Sequence, residues 1–205
     1  MSTGPKPGIH PEEALAGRAR QRQALRRQGI ARRMALSAAT HESLSTRICE
    51  LIGRSFPELS HVHVGFCWPY KNEPDLRPLM QRWLARGNPG FAALLSVVID
   101  AGRALAFRAW TPDCTMQTDR YGIPTPSSGD FLTPDALLIP VNAFDVRGYR
   151  IGYGGGYFDR TLASQQPPPL AIGVGFELAR VDSIEPEEHD VPLAAIVTEA
   201  GVLRI

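Results

Sequence analysis

The chain has 205 residues, of which 43% are hydrophobic and 21% are charged, and its formal net charge is +1. This length allows one substantial core and is too short for two ordinary domains, and the composition is that of a soluble globular protein. The sequence contains no apolar run long enough to span a bilayer and no signal-peptide pattern, so we expect a cytoplasmic protein without a membrane partner. Three cysteines without close pairing indicate reduced thiols rather than a disulfide framework or a zinc site: Cys49, Cys67 and Cys114.

The start of the chain divides into a polar tail and a basic helix. Residues 1–10 are rich in proline and glycine, and we expect a disordered tail there. Pro11 to about Ala35 predicts a first helix, and no acidic residue occurs between Glu13 and Glu42. The arginines concentrated in this helix are Arg18, Arg20, Arg22, Arg26, Arg27, Arg32 and Arg33.

This basic helix has three interpretations. The ordinary one is a solvent-exposed helix face. RNA binding is disfavoured because the segment has no aromatic residue on which a base could stack, so we expect no nucleic-acid partner. Alternatively, Arg22 and Arg26 are four residues apart and therefore share one helical face, where they can bind the same polyanion.

The rest of the sequence predicts alternating helices and strands. Ser37 is the predicted N-cap of a second helix that ends at Gly53. A Pro/Gly-rich connection from Thr111 to Pro134 is of the length typical of functional or mobile loops. The alternation predicts a single α/β domain over residues 11–205, Rossmann-like, with three α/β/α layers and a largely parallel sheet. The other predicted elements are a half-buried strand at 62–66, a helix from Leu76 to Gly87, strands at 92–99, 104–110 and 137–141, a helix at 157–164, and strands at 170–176 and 195–198.

A glycine-rich run from Arg147 to Arg160 follows the apolar stretch at 137–141 and precedes the helix predicted at 157–164. Strand, glycine loop and helix form an arrangement in which backbone N–H groups and a helix N-terminus bind an anion, most commonly phosphate. The run is not a P-loop, because it lacks Gly-Lys-Ser/Thr. It is not a dinucleotide fingerprint either, because Tyr157 stands where a fingerprint begun at Gly152 needs its last glycine.

Two charged residues strengthen the phosphate interpretation of this loop. Arg150 offers a planar fork of donors that suits phosphate oxygens. Asp159 lies in the first turn of the predicted helix, where it can hold a hard cation that also touches the phosphates. The alternative for Asp159 is a carboxylate that interacts favourably with the helix dipole, and the two roles are compatible.

The segment from Pro140 to Asp159 resembles the signature of 5-formyltetrahydrofolate cyclo-ligases, also called methenyltetrahydrofolate synthetases. The resemblance extends from the basic helix near Arg22 through Ile123-Pro124-x-Pro126 to His189-Asp190-Val191-Pro192 and Val197-Thr198-Glu199. Within the signature, the matching residues are Pro140, Ala143, Phe144, Asp145, Gly148, Arg150, Gly152, Gly154, Gly156, Tyr157 and Asp159, with Ile151 in place of leucine and Phe158 in place of tyrosine.

The resemblance implies an enzyme that uses ATP and Mg²⁺ to convert 5-formyltetrahydrofolate into 5,10-methenyltetrahydrofolate, with release of ADP and phosphate. Phosphoryl transfer to the formyl oxygen would make that oxygen a leaving group for attack by N10. Positioning and charge neutralisation are the protein's usual contribution to such a transfer. The expected partners are therefore a reduced folate and ATP, and we expect a monomer.

The resemblance also implies roles for individual residues. Arg150 and Tyr157 are the expected catalytic residues, and Asp159 and Asp190 are the expected magnesium ligands. The expected folate-binding residues are Trp68, Glu73, Tyr121 and Tyr153. The expected ATP-binding residues are Arg22, Arg26, Arg150, Gly152, Tyr153, Gly154, Gly155, Gly156, Tyr157 and Phe158.

Three positions depart from the family pattern, and the mildest is Phe158, which lacks the hydroxyl of the family's tyrosine. Gly155 stands where many members carry lysine, and Arg22 replaces the lysine of a Lys-x-x-x-Arg pair. We expect Arg22, Arg160 or the metal to compensate for the missing lysine, with Arg22 as the first candidate. The departures leave two alternatives open: a diverged, non-catalytic protein that binds ATP or folate, and a paralogous ATP-dependent ligase that acts on another substrate.

Overall fold

The computed structural model of this protein describes residues 11–205, with side chains from Leu15 onward. The tail predicted at 1–10 lies outside the described residues. The helices are α1 (Pro11–Met34), α2 (Ala38–Ser55), α3 (Arg77–Ala85) and α4 (Tyr157–Ser164), with short 3₁₀ turns at Pro57–His61 and Glu177–Ala179. The strands are β1 (His63–Phe66), β2 (Ala92–Val97), β3 (Ala106–Ala109), β4 (Met116–Thr118), β5 (Pro124–Pro126), β6 (Ala136–Pro140), β7 (Ala143–Phe144), β8 (Arg150–Ile151), β9 (Leu170–Val174), β10 (Ala195–Thr198) and β11 (Gly201–Arg204).

Seven of these strands form one sheet in the order β11-β10-β9-β6-β1-β2-β3. The five central strands are parallel, and the edge strands β3 and β11 are antiparallel to their neighbours. The chain moves from β1 to β2 on one side and later returns to β6 on the other side of β1. The carboxyl ends of β1 and β6 therefore form a topological switch point, the position at which open α/β sheets commonly bind ligands.

Helices cover both faces of this sheet. On one face, α2 and α3 bury apolar side chains such as Ile52 and Trp83 against the strands. On the other face, Leu162 of α4 packs into a second cluster with Leu137 and Ile139. The predicted three-layer α/β/α fold is therefore confirmed, because each face of the sheet has its own helical cover.

Helix α1 lies at the carboxyl edge of the sheet, where it contacts β7, β8 and the turn at 177–179. Gly29 makes this contact possible: a Cβ built on it would lie 1.8 Å from the carbonyl oxygen of Asn142. Any larger residue would push the helix away from the segment that follows β6. Because α1 docks so closely, its arginines reach the loops at the switch point.

The structure also corrects several predictions. Helix α2 continues past Gly53 to Ser55, and its last turn packs Ile52 into the core. Strand β1 is not half-buried, because it is central in the sheet and covered on both faces. The connection at 111–134 contains the hairpin β4–β5, and the edge strand β11 was not predicted.

The three cysteines are free thiols, as predicted. Burial raises the pKa of Cys49 to about 11 and the pKa of Cys67 to about 12, which keeps both thiols protonated at neutral pH. Over residues 11–205, no helix is both long enough and apolar enough to cross a membrane.

Candidate active site

The glycine loop connects β8 to α4 at the carboxyl edge of the sheet. Strand β8 pairs with β7 in a short antiparallel hairpin, so the loop begins from a fixed base. Gly154 and Gly156 have φ values of +90° and +63°, in the left-handed region that other residues avoid. Helix α4 begins directly after Gly156, at Tyr157. The predicted strand, loop and helix are thus all present.

Arg26 and Arg150 contact this loop in different ways. Arg26 Nε donates to the carbonyl oxygen of Gly152 at 2.7 Å, and its guanidinium lies beside Gly154. Burial and the neighbouring positive charge of Arg22 lower the pKa of Arg26 below its ordinary value. Arg150 is only 7% exposed, and its Nη2 donates to Asp159 Oδ1 at 2.8 Å. The helix and the strand on either side of the loop are joined by this ion pair.

Arg22 is held by the predicted metal ligand Asp190. Its Nη1 and Nη2 donate to Asp190 Oδ2 and Oδ1 at 2.8 and 3.1 Å, a bidentate ion pair. Asp190 Oδ2 also accepts the backbone N–H of Glu187. The basic helix thus reaches this end of the sheet, but Arg22 contacts Asp190 rather than the glycine loop.

A magnesium ion fits one of the two predicted carboxylates better than the other. Mg²⁺ in nucleotide sites is commonly bound by one or two carboxylates together with phosphate oxygens, so no dense protein cluster is needed. Over residues 11–205, no group of three or more His, Cys, Asp or Glu side chains could hold a metal alone. Asp159 Oδ2 has no hydrogen-bond partner in this part of the chain, whereas both oxygens of Asp190 are engaged by Arg22.

Next to the glycine loop lies a cluster that we call the carboxylate pocket, in which buried Arg33 and Glu73 meet the partly buried Tyr70 and the exposed Tyr153. Glu73 Oε1 accepts hydrogen bonds from Tyr153 OH at 3.0 Å and from Arg33 Nη2 at 3.4 Å. Its Oε2 accepts the backbone N–H of Tyr70 at 3.1 Å. Burial raises the pKa of Glu73, and the charge of Arg33 together with these hydrogen bonds opposes that rise.

Arg33 is a candidate site residue that the sequence analysis did not single out. It is 3% exposed, so the interpretation of the basic run as a uniformly solvent-exposed face is wrong at this position. Arg33 Nη1 donates to Asn142 Oδ1 at 2.6 Å, and its Nε donates to the carbonyl oxygen of Lys71 at 2.7 Å. Helical spacing could have indicated the burial of Arg33. Arg22, Arg26, Gly29 and Arg33 lie on one face of α1, which is the face that docks on the sheet.

The remaining predicted folate-binding residues lie at two separate places. Tyr121, at the tip of the β4–β5 hairpin, has its hydroxyl 2.6 Å from that of Tyr157 at the start of α4. Trp68 lies elsewhere, with the Arg77 guanidinium 4.4 Å above its ring. A cavity of about 300 Å³ beside Trp68 is lined also by Asp75, Arg77, Pro78, Gln81, Trp110 and Pro112.

The structure therefore brings together most of the predicted residues, but not all of them. Tyr153 belongs to both groups, because it lies in the glycine loop and contacts Glu73. Phe158 packs partly buried against the core, which gives it a structural contact in addition to its predicted ATP role. Trp68 lines a different cavity from Glu73. The folate contacts of Trp68, Glu73, Tyr121 and Tyr153 all remain predictions.

These features define an α/β protein with a glycine loop at the switch point of a mostly parallel sheet. The 5-formyltetrahydrofolate cyclo-ligase family matches residues 18–199, which is most of the chain. This chain belongs to that family, whose members are ATP-dependent ligases.

Individual relatives agree with the family match. The 5-formyltetrahydrofolate cyclo-ligase of Escherichia coli K12 is 30% identical over 155 residues, which cover 72% of this chain and 84% of that protein. The enzyme of the same name from Haemophilus influenzae is 34% identical over 99 residues, and this match spans only 45% of this chain and 53% of the relative. The NMR structure of Aquifex aeolicus 5,10-methenyltetrahydrofolate synthetase is 28% identical, with a TM-score of 0.76 over 89% of this chain and 92% of that one.

Proposed function

We propose that this protein uses ATP and Mg²⁺ to convert 5-formyltetrahydrofolate into 5,10-methenyltetrahydrofolate, with release of ADP and phosphate. The observation that carries this proposal is the contact between Tyr153 and Glu73, because one side chain of the glycine loop reaches the buried carboxylate. A loop suited to phosphates thus adjoins an acceptor suited to the donor groups of a pterin ring. A reaction that transfers a phosphoryl group from ATP to a reduced folate needs two such sites side by side.

The chemistry explains why ATP is required. A formamide oxygen is a poor leaving group, and N10 is a weak nucleophile. In the proposed sequence the formyl oxygen attacks the γ-phosphorus, and ADP leaves. N10 then attacks the formyl carbon and loses its proton, and phosphate departs with the former formyl oxygen.

The protein's contribution in this proposal is positioning and charge neutralisation. The backbone N–H groups of the glycine loop and the Arg26 guanidinium would bind the phosphate chain. Glu73 would accept hydrogen bonds from the pterin, and Arg150 would hold the loop and Asp159 in place. Asp159, whose Oδ2 is free of hydrogen bonds within residues 11–205, would hold Mg²⁺, which when bound neutralises phosphate charge, and Asp190 would stay paired with Arg22.

The test is a direct assay of the purified protein with 5-formyltetrahydrofolate, ATP and Mg²⁺, in which absorbance reports the methenyl product. We expect product only when all three are present, with one phosphate released for each product. Omission of ATP is the control. Binding of ATP and folate without turnover would instead favour a non-catalytic relative, and ATP hydrolysis with another formamide alone would favour a paralogous ligase.

A further inference from the structure

Of the arginines around the glycine loop, two are neutralised by carboxylates. Arg22 is paired with Asp190, and Arg150 is paired with Asp159. A guanidinium that already has a carboxylate partner gains less from a phosphate, because the carboxylate must first be displaced. The phosphate-binding charge of the loop must therefore come from other residues.

Arg160, in the first turn of α4, folds back onto the tip of the loop. Its Nη2 donates to the carbonyl oxygen of Gly155, and its Cζ lies 5.4 Å from the centre of the Tyr157 ring. Within residues 11–205, Arg160 forms no ion pair with a carboxylate, and its Nε is buried without a hydrogen-bond partner. Its positive charge is therefore not neutralised by the protein around it.

The two left-handed glycines leave room for guanidinium groups on both sides of the loop. A Cβ on Gly156 would lie 2.7 Å from Arg160 Nη1, and a Cβ on Gly154 would lie 3.0 Å from Arg26 Nη2. Arg26 and Arg160 therefore flank the same five-residue loop, and each lies where a side chain on a glycine would otherwise be. Neither of them is paired with a carboxylate in the described part of the chain.

We propose that Arg160 binds the phosphate chain of ATP and forms, with Arg26, a pair of arginines that flanks the glycine loop. This inference rests on the proposed function, and it identifies the cation that compensates for the absence of lysine at Gly155. Arg22, our first candidate from the sequence, is replaced because Asp190 already binds it. On binding ATP, Arg160 exchanges its contact with Gly155 for charge-assisted hydrogen bonds to phosphate oxygens.

The test compares nucleotide affinities of the full-length protein and its Arg160→Met variant by calorimetric titration in the presence of Mg²⁺. Methionine keeps an unbranched apolar stem beside Tyr157 and removes the charge. We expect the affinity for ATP to fall about tenfold to a hundredfold, as for loss of one charge-assisted contact. The affinity for AMP should change much less, because AMP lacks the phosphates that Arg160 reaches.

Arg160→Lys and Arg54→Met complete the experiment. Lysine at 160 keeps the charge and should recover part of the ATP affinity. Arg54 is an exposed arginine at the end of α2, which leads through the turn at 57–61 into the amino end of β1, and its replacement should leave both affinities unchanged. Circular dichroism and the unfolding midpoint of each variant confirm that the fold is retained.

The possible outcomes separate this inference from the function on which it rests. Unchanged ATP affinity in Arg160→Met would overturn the role of Arg160 while leaving the cyclo-ligase proposal intact. Equal losses for ATP and AMP would show a structural role and would overturn it as well. If the unaltered protein bound no ATP at all, both the inference and the proposed function would be wrong.

Discussion

In the carboxylate pocket the side chains of Arg33 and Glu73 are 3% and 4% exposed, and further hydrogen bonds enclose both of them. At the glycine loop, Arg26 and Arg160 are only half-buried and have backbone carbonyls as partners instead of carboxylates. In the carboxylate pocket the opposite charges of Arg33 and Glu73 already compensate each other before any ligand binds. The glycine loop retains positive charge that an anion can neutralise. The loss of one charge in the first region should therefore cost mainly folding stability, in addition to the folate contact of Glu73, and a change in the second should cost mainly nucleotide binding.

The largest expected effect comes from breaking the pair in the carboxylate pocket. Arg33→Met leaves Glu73 buried without its charge partner, and we expect the free energy of unfolding to fall by about 3–5 kcal/mol. Urea denaturation measures this loss. The matched control is Arg32→Met, because Arg32 is exposed and donates one hydrogen bond to the carbonyl oxygen of Leu178.

A second variant shows whether the uncompensated charge causes this loss. The double variant Arg33→Met, Glu73→Leu removes both charges and should recover most of the stability, but it should not bind folate. If the single and double variants were equally unstable, lost packing rather than the buried charge would explain the effect.

At the glycine loop, the corresponding change is Asp159→Asn. We expect the fold to be retained and the Mg²⁺ concentration for half-maximal activity to rise about tenfold or more, because an amide is a poorer ligand than an anionic oxygen. Mg²⁺ titration of the activity measures this shift. Wild-type activity and an unchanged Mg²⁺ requirement would show that Asp159 does not bind the metal and that its pairing with Arg150 is purely structural.

A smaller effect on ATP binding is expected from alanine at Gly154, and the same substitution at Gly152 allows a direct comparison. Gly154→Ala forces a left-handed residue against Arg26, at a cost of about 1–2 kcal/mol, and should weaken ATP binding about tenfold. Gly152→Ala is the matched control, because nothing lies within 4 Å of its added Cβ and its backbone is not left-handed. Equal ATP affinities in the two variants would contradict the placement of Arg26 beside the loop.

The smallest expected effect is a dependence of stability on pH. Because the pKa of Glu73 is raised in the folded state, its stabilising contribution is complete below the ordinary glutamate pKa of about 4.3 and is lost as pH rises through the higher folded value. The unaltered protein should therefore lose stability relative to Glu73→Gln as pH rises from about 4, by on the order of 1 kcal/mol for each unit of pKa shift. Parallel pH profiles from urea denaturation would contradict the raised pKa.

The sequence predicted the loop better than the pocket, for physical reasons. Gly154, Gly156 and Tyr157 form a local pattern in which the backbone itself makes the site, so adjacent residues reveal it. The carboxylate pocket joins Arg33 and Glu73 from segments 40 residues apart, and only the docking of α1 through Gly29 brings them together. An arginine in a basic run carries no local signal that it will be buried.

The fold shows the same division. Helix α4 and strand β10 match their predicted bounds, because the spacing of hydrophobic residues and the positions of nearby glycines define both elements locally. The edge strand β11 was missed because a four-residue segment acquires its structure only by pairing with β10. Likewise, Arg22 was expected at the glycine loop, and the sequence gives no local indication that Asp190 would pair with it.

The most direct test of the central claim follows the formyl oxygen through the reaction. With 5-formyltetrahydrofolate labelled with ¹⁸O in the formyl group, together with unlabelled ATP, Mg²⁺ and water, mass spectrometry measures the isotope content of the released phosphate. Our account predicts one ¹⁸O atom in each phosphate and none in water, because the formyl oxygen leaves with the phosphoryl group. Unlabelled phosphate formed together with the methenyl product would contradict activation of the formyl oxygen by ATP.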